Sequence, residues 1–292
     1  MNGKRILVAA SLTDGRDAAF ERGLMLAQAW GAEIYLLHAV PAPQGASVGE
    51  IHRLERTAGL RRRAGQAGVR MLTVEQHGDP AEIIELHASA RAVDLIVMGA
   101  DRTLGSRWLR RPSIAERVLR RTTTPTLIVP IDDDAESGFG RLLVAVDLSP
   151  ASKGVVDYAS RLVDGDARRL TVMHAASGID AATAVESPWM VPQYRTYARE
   201  HARRRLEAVV ADVPSAIDTR VQLAAGPHAA AIVEHAEAVG ADLVVVGRSD
   251  RFRPLGSTAL RLLREDRRAL LVVPHGEALA ASAGRVPDRR AA

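Results

Sequence analysis

An α/β protein made of two tandem copies of one open, parallel-sheet domain is the fold class that the sequence predicts. Its second half repeats its first. Ile6-Leu-Val-Ala-Ala-Ser11 returns as Leu142-Leu-Val-Ala-Val-Asp147, and Val93-Asp-Leu-Ile-Val-Met-Gly99 as Ala241-Asp-Leu-Val-Val-Val-Gly247. Thr126-Leu-Ile-Val-Pro130 returns as Leu270-Leu-Val-Val-Pro274. A repeat this long is a whole domain rather than a solenoid unit. Within each copy, short apolar runs alternate with amphipathic stretches, the order that builds a parallel sheet with right-handed crossovers.

The runs rich in Val, Ile and Leu, without alternation, mark strands covered on both faces. In the first copy they fall at about 5–10, 33–39, 69–75, 94–98 and 126–130, and in the second at about 141–146, 169–174, 217–224, 242–246 and 270–273. Four helices per copy are expected between them. Asp79-Pro80 and Gly226-Pro227 read as the starts of corresponding helices, and Ser149-Pro150 as a cap followed by a first-turn proline. Gly31 and Gly165 are expected to stop the first helix of each copy. These signals divide the chain into residues 1–131 and 141–275, joined by the acidic, glycine-bearing stretch 132–140, with 276–292 as an unstructured tail. The offset between copies is 136 at His38/His174, 148 at Gly99/Gly247 and 144 at Ser113/Ser257. The second copy has therefore gained 12 residues in its middle and lost four in a late loop. The two halves are not expected to do the same job.

Composition excludes several classes of function. With 292 residues there is length for two ordinary domains, each burying its own core. The chain has no cysteine, which removes disulfides, thiolate catalysis and cysteine-bound metals together. No apolar run approaches the roughly 20 residues that span a bilayer. Met1-Asn-Gly-Lys-Arg5 leads straight into a strand-like segment rather than a secretion signal, so a cytoplasmic chain is expected. Of 39 basic residues all but Lys4 and Lys153 are arginine, yet the net charge is only +4. Arginine clusters such as Arg203–Arg205 read as solvated helix faces rather than a nucleic-acid surface, because no nucleic-acid motif accompanies them.

In open parallel sheets, ligands sit beyond the carboxyl ends of the strands where strand order reverses. The residues to inspect therefore follow the first and fourth strands of each copy. In the second copy these are Asp147, then Gly247-Arg248-Ser249-Asp250, continuing to Gly256-Ser257-Thr258 at a helix start. A carboxylate at a strand tip can accept hydrogen bonds from a ribose hydroxyl or an adenine amine. Glycine followed by Ser-Thr at a helix N-terminus offers amides and a positive dipole end to phosphate.

On these residues, each half resembles the universal stress protein family. The resemblance is carried by Val144-Ala-Val-Asp147-Leu-Ser149 and by the strand-two endings at His38 and His174. It also rests on Gly78-Asp-Pro80-Ala-Glu-Ile-Ile84, on Asp94-Leu-Ile-Val-Met-Gly99, and on the run Ser113-Ile-Ala-Glu-Arg-Val-Leu-Arg120 ending in Thr124-Pro125-Thr-Leu-Ile-Val-Pro130. It implies an adenine nucleotide alpha hydrolase-like fold, a sheet order of 3-2-1-4-5 in each half, and pairing of the halves through their last strands. Family members that bind ATP carry an Asp after strand one and a G-x2-G-x9-G-[ST] run after strand four. The first half has Ser11 at the Asp position, and Arg102 and Pro112 where glycines belong. The second half keeps Asp147, Gly247, Gly256, Ser257 and Thr258, but its Gly247-to-Gly256 spacing is nine rather than thirteen and Asp250 replaces the middle glycine. The implied cofactor-binding set is thus Asp147, Ala175, Gly247, Arg248 (as countercharge), Gly256, Ser257 and Thr258, with ATP or ADP admissible in the second half only. Arg102 is expected to hold an acidic group or an anion in the vacated first-half site.

Other chemistry ranks lower. His228 and His235 are two helical turns apart, too far to share an ion, so no metal is expected. His38 and His174 occupy one strand position in both copies, which points to a structural hydrogen bond. No nucleophile elbow is visible. The 12-residue gain surrounds Glu186-Ser-Pro-Trp189-Met-Val-Pro192-Gln-Tyr194-Arg-Thr-Tyr197, either a lid or partner surface, or a lengthened helix packing its aromatics into the core. The expectation is a non-enzymatic stress-response protein with degenerate nucleotide sites, acting on an unidentified protein partner and compatible with a homodimer of tandem chains. The alternative is an enzyme of the same fold, a pyrophosphatase-type ligase or weak ATPase. Ala10-Ser-Leu-Thr-Asp14 and Asp147-Leu-Ser-Pro150 lack the Ser-Gly-Gly-x-Asp-Ser type loop that such ligases carry.

Overall fold

Residues 3–12, 17–40, 49–100, 112–133, 138–163, 168–176, 191–248 and 255–274 are described by the structure, a computed structural model. The first half runs β1 (Arg5–Ala9), α1 (Ala18–Trp30), β2 (Glu33–Val40), α2 (Gly49–Gln66), β3 (Met71–His77), α3 (Pro80–Ala90), β4 (Leu95–Ala100), α4 (Ile114–Arg121) and β5 (Thr126–Pro130). The second runs β6 (Arg141–Ala145), α5 (Ser152–Ser160), β7 (Arg169–Ala176), α6 (Val191–Val210), β8 (Asp218–Ala225), α7 (His228–Ala238), β9 (Leu243–Arg248), α8 (Ser257–Glu265) and β10 (Ala269–Pro274).

The strands form one ten-stranded sheet in the order β3-β2-β1-β4-β5-β10-β9-β6-β7-β8. Within each half all pairings are parallel and the order is 3-2-1-4-5. The halves meet through β5 and β10, which pair antiparallel with Leu270 opposite Ile128 and Val272 opposite Thr126. Two-residue alternation sends Ile6 and Val8 to one face of the sheet and Leu7 to the other. The first face is covered by α1, α2, α5 and α6, the second by α3, α4, α7 and α8, and both apolar layers run unbroken through the seam.

Local signals set the element ends. Asp79 caps α3 by accepting from the amides of Ala81 (3.0 Å) and Glu82 (3.2 Å), with Pro80 in the first turn. Ser113 caps α4 through Glu116 N–H at 3.1 Å. Gly31 ends α1 at φ 61°, a left-handed conformation that favours glycine. Two expected boundaries are corrected. Helix α5 begins at Ser152 with Ala151 as its cap, so Ser149-Pro150 stands in the turn before it. The Asp147 carboxylate, which accepts from Ser149 N–H, and the Ser152 N–H to Ser149 O bond close that extra turn first. The same helix ends at Ser160 with Arg161 as its C-cap, well before Gly165.

Polar contacts reinforce the seam. Tyr158 of α5, buried, donates its hydroxyl to Asp94 O at the start of β4 across 3.2 Å. Arg22 lies over the Phe139 ring at 4.4 Å and pairs with Asp133 at 2.5 Å, anchoring both ends of the connecting stretch. Glu116 of α4, its side chain only 5% exposed, receives Arg120 from its own helix at 2.8 Å and Arg264 from α8 at 2.9 Å. Burial pushes the Glu116 carboxyl up, but the two guanidiniums outweigh it and hold the group below the ordinary glutamate range.

Because the folded state keeps Glu116 ionised to lower pH than the unfolded chain, its stabilisation is present above the unfolded glutamate value of about 4.3 and drains away as pH falls through the depressed folded value. Glu116→Gln is expected to cost about 1–2 kcal/mol at neutral pH, discounted from a fully buried pair because both arginines are partly solvated. Urea unfolding from neutral to about pH 3 should show that cost shrinking with acidification; a cost unchanged down to that pH would contradict the ion-pair assignment.

Candidate functional site

A cavity of about 210 Å³ opens in the second half at the carboxyl ends of β6, β7 and β9, where the sheet order reverses. Its floor is Ala145, Val146, Ala175 and Val246, with Val155 and Ile232 as apolar walls. Asp147, Ser152, His174, His228 and Thr258 bring polar groups to it, and Gly247 and Gly256 bring backbone. Helices α7 and α8 begin at its rim, with His228 as the first residue of α7 and Gly256 as the cap of α8. Gly256 has no side chain to cap α8, so the first-turn amides face the rim without a side-chain acceptor from the cap.

Asp147 is placed by its own neighbours. One carboxylate oxygen accepts from Ser149 N–H at 2.9 Å and from the Ser152 hydroxyl at 3.1 Å, fixing the group as an exposed acceptor at the end of β6. The next residue, Leu148, has φ 58° and is buried, a left-handed conformation costing about 1–2 kcal/mol for a residue with a Cβ. Leu12 does the same at φ 55° in the first half. The strain therefore belongs to the strand-one exit of the fold and does not by itself mark a site. What differs is the side-chain set: Asp147 and Ser152 of the second half correspond to Ser11 and Arg16 of the first.

The imidazoles at the matched positions play one structural role. His38 Nδ1 lies 2.9 Å from Ala10 O, and His174 Nδ1 lies 2.8 Å from Val146 O. A carbonyl oxygen can only accept, so Nδ1 carries the proton in both rings and Nε2 of the neutral ring is left as an acceptor. His38 is buried, whereas His174 lines the cavity.

Of the expected site residues, the fold brings Asp147, Ala175, Gly247, Gly256 and Thr258 to one cavity wall or another. Ser257 opens α8 beside them as an exposed residue. Arg248 goes elsewhere: its guanidinium donates to Leu119 O at 3.1 Å and to Thr122 O, the C-terminal carbonyls of α4 in the other half. Ser152 and His228 were not singled out for this site from the sequence. The contrast of Ser152 with Arg16 in the other copy is the signal that could have found the first. Arg102, Ser249, Asp250 and Trp189 lie outside the described residues. Tyr197 is 69% exposed and stacked on His201, which removes for this residue the alternative that packs it into the core. At about 100° per residue it stands half a turn from Leu206, a buried residue of α6.

The corresponding helices of the first half are tied together. Arg117 of α4 reaches Asp79 at the start of α3 at 2.5 Å, and burial of Asp79 is outweighed by this bond, which holds its carboxyl below the usual range. The second half has Pro227 and Arg261 at those positions, and Arg261 pairs instead with Glu265 in its own helix. Among the described residues no group of three or more His, Asp or Glu could hold a metal ion. No described helix is long and apolar enough to cross a membrane.

A doubly covered, parallel-dominated sheet with a polar-rimmed cavity at the switch point of its second half defines an open α/β protein, here duplicated within one chain. The sequence model of the universal stress protein family matches residues 3–130 and again 138–274, and the chain belongs to that family as a tandem member. It is similar to a universal stress protein of Methanocaldococcus jannaschii, 30% identical over an alignment 132 residues long that covers 40% of this chain and 78% of the relative. YxiE of Bacillus subtilis, also a universal stress protein, is 28% identical over 144 residues, 43% of this chain and 97% of its own. The fold as a whole matches a crystal structure of a universal stress protein from Archaeoglobus fulgidus with a TM-score of 0.66 at 20% identity, over 94% of this chain and 97% of that one.

Nitrogen NMR of the imidazoles should find both His38 and His174 as the Nδ1–H tautomer when neutral. In Ser152→Ala the Asp147 carboxylate loses the Ser152 hydroxyl donor, and stability should fall by about 1 kcal/mol. An Nε2–H tautomer at His174 would overturn the orientation of the cavity wall described above.

Proposed function

We propose that the chain is a non-enzymatic stress-response protein that takes at most one adenine nucleotide, ATP or ADP, in its second half. Residues 1–131 and 141–275 act as two units joined by 132–140, the first without a nucleotide of its own. The observation that carries this reading is the convergence of Asp147, Gly247, Gly256 and Thr258 on a single cavity at the sheet's switch point. Asp147 supplies a fixed anionic acceptor suited to ribose hydroxyls or an adenine amine. The apolar floor suits a base, and the uncapped α8 amides suit a phosphate. In the first half Ser11 offers no charged acceptor, and the Asp79–Arg117 pair ties together the helix starts that leave the cavity open in the second.

The four-residue deletion between Gly247 and Gly256 shortens the segment that would embrace a polyphosphate. Affinity is therefore weak, about micromolar, or roughly 8 kcal/mol of binding free energy. The nucleotide sets the state of a surface read by a partner protein, and no chemical step is assigned to the cavity.

Titration calorimetry of the full chain with ATP and with ADP tests the reading. One site per chain is expected, with Asp147→Ala weakening it about tenfold to a hundredfold through loss of a charge-assisted bond. Two sites per chain, or binding indifferent to Asp147→Ala, would show that the halves have been assigned wrongly. Steady nucleotide hydrolysis abolished by Asp147→Ala would favour the enzymatic alternative.

A further inference from the structure

Strand β9 and helix α8, the elements that flank residues 249–254, are both held by one helix of the other half. On the leading flank, Arg248 places its guanidinium on Leu119 O (3.1 Å) and Thr122 O at the C-terminus of α4. Those carbonyls lack intrahelical partners and form the negative end of the helix dipole, so a cation is well placed there. On the trailing flank, Arg264 in the last turn of α8 reaches across to Glu116 of the same α4 at 2.9 Å, into a carboxylate that is 5% exposed. Gly247 adjoins Arg248 and lines the cavity, and α8 begins at Gly256 on the cavity rim.

The arrangement runs one way. The counterpart of Arg248 in the first half is Ala100, which has no side chain to reach α8. The counterpart of Glu116 is Leu260, and that of Thr122 is Asp266, whose carboxylate pairs with Arg268 at 2.9 Å. These contacts join α4 of the first half to β9 and α8 of the second, and Ala100 and Leu260 have no charged group to make them in the opposite sense.

We infer that Arg248 is a positioning residue for the second-half cavity: through Arg248 and Glu116, helix α4 of the first half sets the separation between Gly247 and Gly256 and so makes the first half part of the site's frame. Ligand binding and the α4 seam are then coupled, and by linkage each must stabilise the other. This rests on the cavity being a nucleotide site, but the grip on its frame exists without ligand and can be read without one.

Amide exchange of the ligand-free full chain therefore comes first. Arg248→Ala should speed exchange at Val246, Gly247 and the first turn of α8 by about tenfold while β1 and β2 keep their protection. Arg248→Lys should restore part of it, since both bonds come from one guanidinium nitrogen and a single ammonium, on a different stem, can also donate twice. Tyr158→Phe removes a seam bond to Asp94 O made by a residue that does not line the cavity, so it controls for general loosening and should leave those amides unchanged. With ATP or ADP as the probe, Arg248→Ala should weaken binding about tenfold and Tyr158→Phe should not. Equal exchange in Arg248→Ala and wild type, or an equal effect of Tyr158→Phe on the same amides, overturns the inference. Wild type that binds neither nucleotide while Arg248→Ala still loosens the frame would instead remove the nucleotide reading and leave the grip standing.

Discussion

Strand β5 meets β10 in antiparallel register, Leu271 against Leu127 at its centre, and the order of every other strand follows outward from that pair. Thr126–Pro130 and Ala269–Pro274 are buried throughout, so either half alone would present an apolar strand with unpaired amides and carbonyls. Joining them satisfies both edges at once and carries the two apolar layers straight through the seam. It also places α4 and α8 against each other and brings α5 within reach of β4, which is why Glu116 can find Arg264 and Tyr158 can find Asp94. The seam is thus the constraint from which the cross-half contacts derive.

The backbone treats the halves alike, and the side chains do not. Both halves leave their first strand through a left-handed leucine, Leu12 and Leu148, and both hold a histidine against the carbonyl two residues before that leucine. Around this shared frame the polar residues have diverged. Asp147 with Ser152 faces Ser11 with Arg16 in the alignment of the copies, and Asp79 with Arg117 faces Pro227 with Arg261. In the first half Asp79 and Arg117 close α3 against α4, whereas in the second Asp147 lines a cavity and Arg261 pairs within its own helix.

The fold was legible because the copies could be read against each other and because unbroken Val, Ile and Leu runs leave little choice but strands buried on both faces. Ten strands were placed to within about two residues, and the order and the seam followed from the family resemblance. Ser149-Pro150 misled because a serine before proline carries the same signature whether it caps a helix or sits in the turn before one; the deciding group, the Asp147 carboxylate, is a tertiary choice of partner. Gathering Asp147, Gly247, Gly256 and Thr258 at one cavity required only the topology. Arg248 was beyond reach for a different reason. A long cation at a strand end can turn toward the cavity or away from it, and only the position of α4, contributed by a strand pairing far away in sequence, shows which carbonyls attract it.

Carrying both copies in one chain has a physical consequence for such contacts. In a symmetric pair of identical domains every substitution occurs twice, so an arginine gripping the neighbouring helix would grip in both directions and tie both cavities to the seam. A fused chain lifts that restriction. Ala100 and Arg248 occupy the same place in their respective copies, as do Leu260 and Glu116, and each pair has one small or apolar member and one charged member. The charged members, Glu116 from the first half and Arg248 from the second, both act on the contact between α4 and the β9–α8 side of the seam. The asymmetry is therefore concerted rather than scattered. One half carries Ser11 where the other carries Asp147, and that half supplies the helix that meets β9 and α8 beside the other's cavity.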